Sequence, residues 1–215
     1  VKVLVVTGAG RVFCAGGDIR AMQGWPQESL VERRRSMLEG FPNMARILAD
    51  LDKPYIAAVN GGCIGVGMEL ANLCDIRVAS EKATFSMAFV RMGVIPAWGG
   101  CYFLPRIVGI AKACELIWTG RRIDAQEALQ IGYVSKVVPY DELLEATKEL
   151  ATRLAKGPSV AIGLDKRLIY RCLNLDLDNA LEAHALAMLV AQSTEDAIEG
   201  PKAWMEKREP QFKGR

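Results

Sequence analysis

The stretch Tyr55-Ile-Ala-Ala-Val-Asn-Gly-Gly-Cys-Ile-Gly-Val-Gly-Met-Glu-Leu-Ala-Asn-Leu73 decides the fold of this chain. A short β-type run follows Pro54 and ends at the turn signal Asn60-Gly61. Glycines at 61, 62, 65 and 67 lead into a helical run over residues 68–73, and a strand follows over residues 75–79. The order strand, glycine loop, helix, strand is typical of a βαβ unit, so we expect parallel pairing of the strands.

The segments on either side extend this α/β pattern. Residues 1–7 are predicted to form a fully buried strand that ends at Gly8-Ala-Gly10, and a second glycine-bearing segment covers residues 11–20. A helix is predicted over residues 29–50, broken or kinked at Pro42. A further strand over residues 83–86 leads to a glycine-rich turn over residues 93–100.

Helical patterns dominate the rest of the chain. A helix over residues 111–119 stops at Gly120, and Asp124 is a suitable N-cap for a helix over 125–130 that stops at Gly132. A strand is predicted over 133–138, followed by helices near 140–156, 158–173 and 176–192, and a short one over 194–207 that begins after Ser193-Thr194. We therefore predict an α/β core over residues 1–138 and a helical region over 139–215, packed on itself or on a neighbouring subunit.

Composition and charge exclude several classes of protein. The 215 residues are 51% hydrophobic and 24% charged, and the net charge of +2 is too small to indicate nucleic-acid binding. The basic run Arg33-Arg34-Arg35 is flanked by glutamates and is typical of a solvated helix face. With His184 as the single histidine, a histidine-based metal site or a catalytic triad has little to build on. No apolar run reaches the ~18–20 residues that span a bilayer.

Six cysteines without CxxC spacing indicate reduced, mostly buried thiols and a cytoplasmic protein: Cys14, Cys63, Cys74, Cys101, Cys114 and Cys172. No signal peptide is recognisable, and the chain begins with Val1 rather than methionine. We therefore expect a fragment, a processed form or part of something longer.

Two glycine turns carry the candidate chemistry: Ala15-Gly-Gly-Asp18 after a strand, and Gly65-Val-Gly-Met-Glu69 at a helix start. Each offers free main-chain N–H groups, and the second adds the positive end of a helix dipole. Two such amides can bind one carbonyl oxygen as an oxyanion hole, although glycine turns are also common as purely structural features. Glu69 lies in the first helical turn among apolar neighbours. It is either a dipole-stabilising residue or a general acid/base whose pKa is raised by burial.

Five ordered segments make the sequence similar to the crotonase (enoyl-CoA hydratase/isomerase) superfamily, with matching order and spacing over essentially the whole chain: Phe13–Ile19, Ala58–Gly61, Gly65–Leu70, Cys74–Ile76 and Gly93–Pro96. The resemblance implies a spiral of ββα turns and a C-terminal helical region that mediates trimerisation. The implied assembly is a homotrimer or a dimer of trimers, without a nucleic-acid or membrane partner. It also implies acyl-CoA thioester substrates, so that coenzyme A belongs to the substrate and no separate cofactor is expected.

The resemblance also assigns roles by position. The oxyanion amides fall on Gly17 and Val66, with Glu69 as the acid/base. The loop Ala15, Gly17, Asp18, Ile19 and Arg20 would line the coenzyme A channel, with Arg20 placed to meet phosphate. Trp204 and Lys207 fall where family members contact the nucleotide end of coenzyme A. A buried aromatic anchor and a surface lysine are the competing interpretation of that last pair.

The sequence departs from the family pattern in three places. The second glutamate of hydratases falls at Phe89, and the aspartate of related isomerases falls at Ala97. The strands and helix that usually precede the position of Val1 are absent, so the N-terminal part of the usual fold is expected to be missing. Trp25, Phe89, Trp98 and Tyr102 are candidates for a bulky pocket or for the core, and the core is favoured for Tyr102.

The sequence leaves two functions open. One is a single-carboxylate enzyme that stabilises a thioester enolate, as an enoyl-CoA hydratase or isomerase. The other is an impaired relative that binds acyl-CoA without turning it over. A dinucleotide-binding domain is excluded because Gly8-Ala-Gly10 lacks the third glycine and the helix that such a site needs.

Overall fold

The computed structural model describes residues 1–20 and 29–215, so Trp25 lies outside the described residues. The chain divides into two compact units. The α/β unit comprises Val5–Ala49 and Ile56–Thr147, and the helical unit comprises Val1–Leu4, Asp50–Tyr55 and Lys148–Arg215.

The strands of the described ranges are β1 Leu4–Thr7, β2 Val12–Cys14, β3 Tyr55–Val59, β4 Gly62–Ile64, β5 Ile76–Ser80, β6 Thr84–Ser86, β7 Ile123–Asp124 and β8 Lys136–Val138. They form two four-stranded sheets, of order β1-β3-β5-β8 and β2-β4-β6-β7. The pairs β2–β4, β3–β5, β4–β6 and β5–β8 are parallel, which confirms the predicted parallel pairing, and β6–β7 is antiparallel.

The core is centred on β3, in which the last four of its five residues, Ile56 to Val59, are all 0% exposed. A strand covered on both faces is continuously apolar, and this explains the uninterrupted run that the sequence carries there. Each residue of β3 from Ile56 to Val59 aligns with one residue of β5, beginning with Ile56 opposite Ile76.

The fully buried first strand predicted for residues 1–7 is wrong. β1 alternates between partly buried and exposed residues, with Val5 44% exposed. It lies at the edge of its sheet, where a strand has one neighbour, and its side chains alternate between the two faces. The strand predicted over 133–138 is also shorter than expected. The main-chain N–H of Tyr133 is used in a turn, donating to Ala128 O at 2.8 Å, and β8 begins only at Lys136.

The helices of the described ranges follow the predicted pattern in most places: α1 Leu30–Glu39, α2 Phe41–Ala49, α3 Val66–Asn72, α4 Gly100–Val108, α5 Ile110–Thr119, α6 Ala125–Gln130, α7 Leu143–Ala155, α8 Ser159–Cys172, α9 Leu177–Gln192 and α10 Glu195–Met205. The predicted caps are confirmed at Asp124, which accepts from Glu127 N, and at Thr194, which accepts from Ala197 N. Gly120 ends α5 in the left-handed region, as expected. No helix of the described residues is long and apolar enough to cross a bilayer.

The helix predicted over residues 29–50 breaks at Gly40 and not at Pro42. Gly40 ends α1 by donating its N–H to Ser36 O, and Pro42 is the second residue of α2. Proline is tolerated in the first turn because that N–H has no partner within the helix. The sequence did not predict α4, which begins at Gly100 and contains Pro105.

Candidate active site

Glu69 lies in the first turn of α3 and is 1% exposed. Its Oε1 accepts two main-chain hydrogen bonds, from Trp98 N and Gly100 N, each at 2.9 Å. Its Oε2 is buried and has no hydrogen-bond partner among the described residues. Burial raises the pKa of Glu69, and the two amide hydrogen bonds oppose that rise. The carboxyl group therefore has one oxygen fixed by the main chain and one oxygen available for a proton.

Among the acidic residues of the described ranges, only Glu69 and Asp196 are buried. Both oxygens of Asp196 accept main-chain N–H bonds, from Lys213 at 2.7 Å and Gly214 at 2.8 Å. Glu69 thus combines burial with an unused oxygen, and this is the arrangement expected of an acid/base group.

The turn before α3 depends on Gly65, whose φ is +54° and ψ −116°. Its N–H donates to Ser86 O at 2.8 Å, and its carbonyl accepts from Met68 N and Glu69 N. L-residues with a Cβ rarely adopt such a conformation, so glycine is required at this position. The turn anchors the start of α3 to the end of β6.

The two predicted glycine turns lie against each other. A Cβ on Gly67 would lie 2.4 Å from Cys14 O, so the start of α3 is packed directly on the end of β2. Gly16 has a φ of +105°, and a Cβ there would lie 3.1 Å from Ile64 O and 3.9 Å from Val66 N. Only glycine permits this close approach of the two main chains.

The main-chain N–H groups of Gly17 and Val66 donate to no other group within residues 1–20 and 29–215. Val66 is the first residue of α3, where an N–H has no partner inside the helix. Around Gly17 there is room for a ligand, because a Cβ built there would meet none of the described residues within 4 Å. Their role as oxyanion donors stays a prediction.

The predicted coenzyme A loop, Ala15 to Arg20, is largely exposed. Asp18 Oδ1 accepts from Arg20 N at 3.0 Å and Nε at 3.1 Å, and Asp18 Oδ2 accepts from Nη2 at 3.1 Å. These bonds with Arg20 lower the pKa of Asp18. The Arg20 side chain is 88% exposed, so a phosphate could reach it beside this carboxylate. The binding roles of Ala15, Gly17, Asp18, Ile19 and Arg20 stay predictions.

Trp204 lies in the last turn of α10, and Lys207 follows the end of that helix, both in the helical unit. Trp204 is 85% exposed, so the interpretation as an aromatic anchor buried in this chain is wrong. Lys207 is exposed and has a φ of +54°, in the left-handed region. Their contact with a nucleotide stays a prediction. His184 lies in α9 of the same unit, with its Nδ1 2.7 Å from Ala180 O.

The candidate aromatic residues occupy different environments. Phe89 is half-buried in a 3₁₀ turn over Ala88–Met92, and its Cζ lies 3.9 Å from the position of a Cβ on Gly65. Trp98 is half-buried and contributes its main-chain N–H to Glu69. The core position favoured for Tyr102 is wrong, because its side chain is 43% exposed on α4 and stacks under the Arg106 guanidinium at 3.6 Å.

Sequence reasoning missed the groups that hold the carboxylate. Trp98 and Gly100 act through main-chain N–H groups, which leave no residue-type signature. A Cβ on Gly100 would lie 2.6 Å from Met87 Cε, 2.7 Å from Pro96 Cβ and 2.9 Å from Glu69 Oε1. The pair Gly99-Gly100 was therefore a usable signal of close approach to a neighbouring group. In the described part of the chain, no cluster of three or more metal-ligating side chains occurs.

Comparison with known proteins identifies the family of this chain. The family model described as enoyl-CoA hydratase/isomerase matches residues 1–215. A short-chain-enoyl-CoA hydratase of Clostridium acetobutylicum is 41% identical, and a 1,2-epoxyphenylacetyl-CoA isomerase of Escherichia coli is 36% identical, each over 100% of this chain and 82% of the relative. The solved enoyl-CoA hydratase of Bacillus anthracis matches with a TM-score of 0.92 at 37% identity, covering 100% of this chain and 82% of that one. The chain therefore belongs to the enoyl-CoA hydratase/isomerase family, the crotonase superfamily of acyl-CoA enzymes.

Proposed function

We propose that this protein moves a proton on the acyl group of a coenzyme A thioester, with Glu69 as its single acid/base. The Glu69 carboxylate takes a proton from the α or γ carbon, which leaves an enolate on the thioester carbonyl oxygen. The main-chain N–H groups of Gly17 and Val66 bind that oxygen. The carboxylic acid then returns the proton to the other carbon, so the double bond shifts and the carboxylate is regenerated.

This proposal rests on the buried carboxyl group of Glu69. Its Oε1 accepts two main-chain hydrogen bonds, and its Oε2 has no hydrogen-bond partner among the described residues. A general acid/base needs a pKa nearer to neutrality than that of an exposed glutamate, and burial shifts the pKa of Glu69 in that direction. The N–H groups of Gly17 and Val66 donate to no other described residue and lie on two turns that pack against each other, which supports the oxyanion hole.

Isomerisation fits the side chains around the site better than hydration of a simple enoyl-CoA. Syn hydration in the family uses two glutamates that hold one water, and the second of these positions is Phe89. An aromatic ring neither accepts nor delivers the required proton. The isomerase position is Ala97, which is exposed and also carries no acid. The relatives include both hydratases and an isomerase, so hydration of an activated dienoyl-CoA is the second reaction to test.

Deuterium exchange tests the acid/base directly. An enoyl-CoA is incubated in D₂O with the wild-type protein and with Glu69→Gln, and label at the α and γ carbons is followed by mass spectrometry. We expect Glu69→Gln to lose ~10²–10⁴-fold in exchange rate while it still binds coenzyme A. Glu149→Gln, which changes an exposed glutamate of α7, is the matched control and should exchange at the wild-type rate. Wild-type exchange in Glu69→Gln would exclude Glu69, and no exchange in the wild type would favour a binding-only function.

The oxyanion hole has its own test at Val66. Proline is compatible with the first residue of a helix, so Val66→Pro removes the N–H group at a position where the helix makes no use of it. We expect a loss of ~10²–10³-fold in exchange rate. Val66→Ala keeps the N–H group and controls for the lost side chain. Equal rates in the two variants, at equal melting temperature, would contradict the role of this amide.

We also propose a homotrimer or a dimer of trimers built through the helical unit, in a cytoplasmic protein. In α9 no residue is buried within the chain, and Leu177, Leu186 and Leu189 are 71%, 60% and 65% exposed. Exposed apolar surface of this extent is typical of subunit interfaces. No disulfide joins the six cysteines, and this supports a reducing compartment. Only Cys63 and Cys74 are buried, so the expectation of mostly buried thiols is wrong. Light scattering on the purified protein measures the number of subunits, and a monomer would contradict the proposal.

A further inference from the structure

A buried arginine holds the C-terminal end of the helix that carries Glu69. Arg77, in β5, is 9% exposed. Its Nη1 donates to Cys74 O at 2.6 Å and to Ala71 O at 3.2 Å, and its Nε donates to Tyr133 O at 2.6 Å. The carbonyl groups at the end of a helix have no partner within the helix and carry partial negative charge. The guanidinium group therefore binds the end of α3 both as a donor and as a cation, in addition to the bond that Ala71 O accepts from Cys74 N at 3.2 Å.

Tyr133 completes the same network from the other side. It is 0% exposed, and its ring packs edge-on against Phe85 with 5.1 Å between centroids. Its hydroxyl donates to Asn72 Oδ1 at 2.9 Å and lies 3.4 Å from Met68 O. Because Arg77 binds the carbonyl of Tyr133, the two side chains form one connected unit.

The contacts of this unit bracket Glu69 along the chain. They fall on Met68, immediately before it, and on Ala71, Asn72 and Cys74, after it. The helix has only seven residues and no side-chain N-cap, and a helix of that length is not stable by itself in water. Its direction must therefore be set by tertiary contacts, and this network supplies the polar ones at its C-terminal end.

We propose that Arg77 is a positioning residue for the reaction: together with Tyr133 it fixes α3 so that the free oxygen of Glu69 and the N–H of Val66 stay aligned on the same substrate. The inference rests on the proposed function of Glu69. Neither residue touches the carboxyl group in the described structure, and both act through the main chain of α3. A purely structural role predicts lost stability alone, whereas a positioning role predicts a selective loss in turnover.

The test measures deuterium exchange as separate kcat and KM values, the pH dependence of kcat, and the melting temperature. Arg77→Lys keeps the charge but loses the planar set of donors, and we expect kcat to fall ~10–100-fold with KM unchanged, as for a small misplacement of a catalytic group. The pH midpoint of kcat should move downward, because a displaced Glu69 is less buried and its pKa falls towards the ordinary value.

Tyr133→Phe removes one hydroxyl and should lose ~3–10-fold in kcat, which keeps the test decisive if Arg77→Lys does not fold.

Lys166→Met is the matched control. Lys166 is also a buried cation, 7% exposed, and it also donates to a main-chain carbonyl, Lys53 O at 3.0 Å, but within the helical unit. We expect it to lower the melting temperature and to leave kcat and its pH midpoint unchanged.

The positioning role is overturned if Arg77→Lys and Tyr133→Phe keep the wild-type kcat and pH midpoint, or if their losses appear only in KM. It is also overturned if kcat falls in proportion to melting temperature in all three variants, Lys166→Met included. Glu69→Gln separates this failure from that of the proposed function. If Glu69→Gln is inactive while Arg77→Lys is unaffected, only the positioning role is lost; if Glu69→Gln is active, the acid/base assignment itself is wrong.

Discussion

Gly100→Ala tests how tightly the Glu69 carboxylate is held. The added methyl group would lie 2.6 Å from Met87 Cε, 2.7 Å from Pro96 Cβ and 2.9 Å from Glu69 Oε1. Carbon atoms in contact are normally about 3.5–4.0 Å apart, so the two carbon contacts overlap by roughly 1 Å. Met87 Cε is the end of a flexible side chain and can move, but Pro96 is a ring in the adjoining loop. Relief of the overlap must therefore shift the loop or the carboxylate.

Both stability and activity should respond to this substitution. Overpacking a buried site costs about 1–3 kcal/mol, which for a chain of this size lowers the melting temperature by roughly 2–12 °C. Because Gly100 N also donates to Glu69 Oε1, the same shift disturbs the acid/base, and we expect ~10²-fold slower deuterium exchange on an acyl-CoA.

The matched control is Gly62→Ala in β4. A Cβ there would meet Val12 Cγ1 at 3.7 Å and Ile64 Cγ1 at 4.0 Å, which are ordinary contacts. Its stability should stay within about 1 kcal/mol of wild type, and its exchange rate should be unchanged. If Gly100→Ala exchanges as fast as Gly62→Ala, the close packing around Glu69 is not needed for proton transfer, and the reasoning fails.

Three further predictions address the missing acid, the pKa and a helix cap. The wild-type protein should hydrate crotonyl-CoA weakly, and Phe89→Glu should raise the rate ~10-fold or more by supplying a second carboxylate; an equal gain in Phe89→Gln, measured by loss of enoyl absorbance, would refute this. A pKa raised by burial contributes stability that is present below the unfolded-state pKa and is lost as the pH rises through the folded-state value. The stability of wild type relative to Glu69→Gln should therefore decline in urea titrations as the pH rises above the ordinary pKa of a glutamate, and a difference independent of pH would contradict the shift. Asp124→Ala removes the bond to Glu127 N and should cost about 1 kcal/mol, roughly 2–4 °C by calorimetry, whereas an equal loss in Asp124→Asn would show that the cap is not responsible.

The elements that local chemistry determines could be predicted from the sequence. The caps at Asp124 and Thr194 and the glycine stop at Gly120 were predicted because each is fixed by one side chain or one backbone conformation. The parallel pairing of β3 with β5 followed from the order of the intervening elements. The exposure of β1 was not predicted, because an edge strand and a central strand can share the same apolar composition. The position of the break before α2 was assigned to Pro42 rather than Gly40, since proline in the first turn of a helix does not interrupt it.

The sequence indicated the burial of Glu69 and missed the main-chain and long-range groups that hold it in place. The burial of Glu69 and the contact between the two glycine turns agree with the sequence analysis. The amides that hold the carboxylate come from the segment around Trp98 and Gly100, 29 and 31 residues further along the chain. The Arg77–Tyr133 contact spans 56 residues. Local patterns carry no information on such contacts, so the support of α3 was visible only in three dimensions.

One carboxylate is sufficient for a proton shift and insufficient for simple hydration, because the two reactions need different numbers of proton-transfer groups. In the shift, the same group removes a proton from one carbon and delivers it to another, so it begins and ends ionised. Hydration adds two groups, a hydroxyl from an activated water and a proton at the neighbouring carbon, and it needs an acid and a base in the same encounter. The two amides at Glu69 Oε1 stabilise the ionised state, and burial stabilises the protonated state. The proposed shuttle between two carbons needs both states of Glu69 within one turnover, and these opposed influences each favour one of the two.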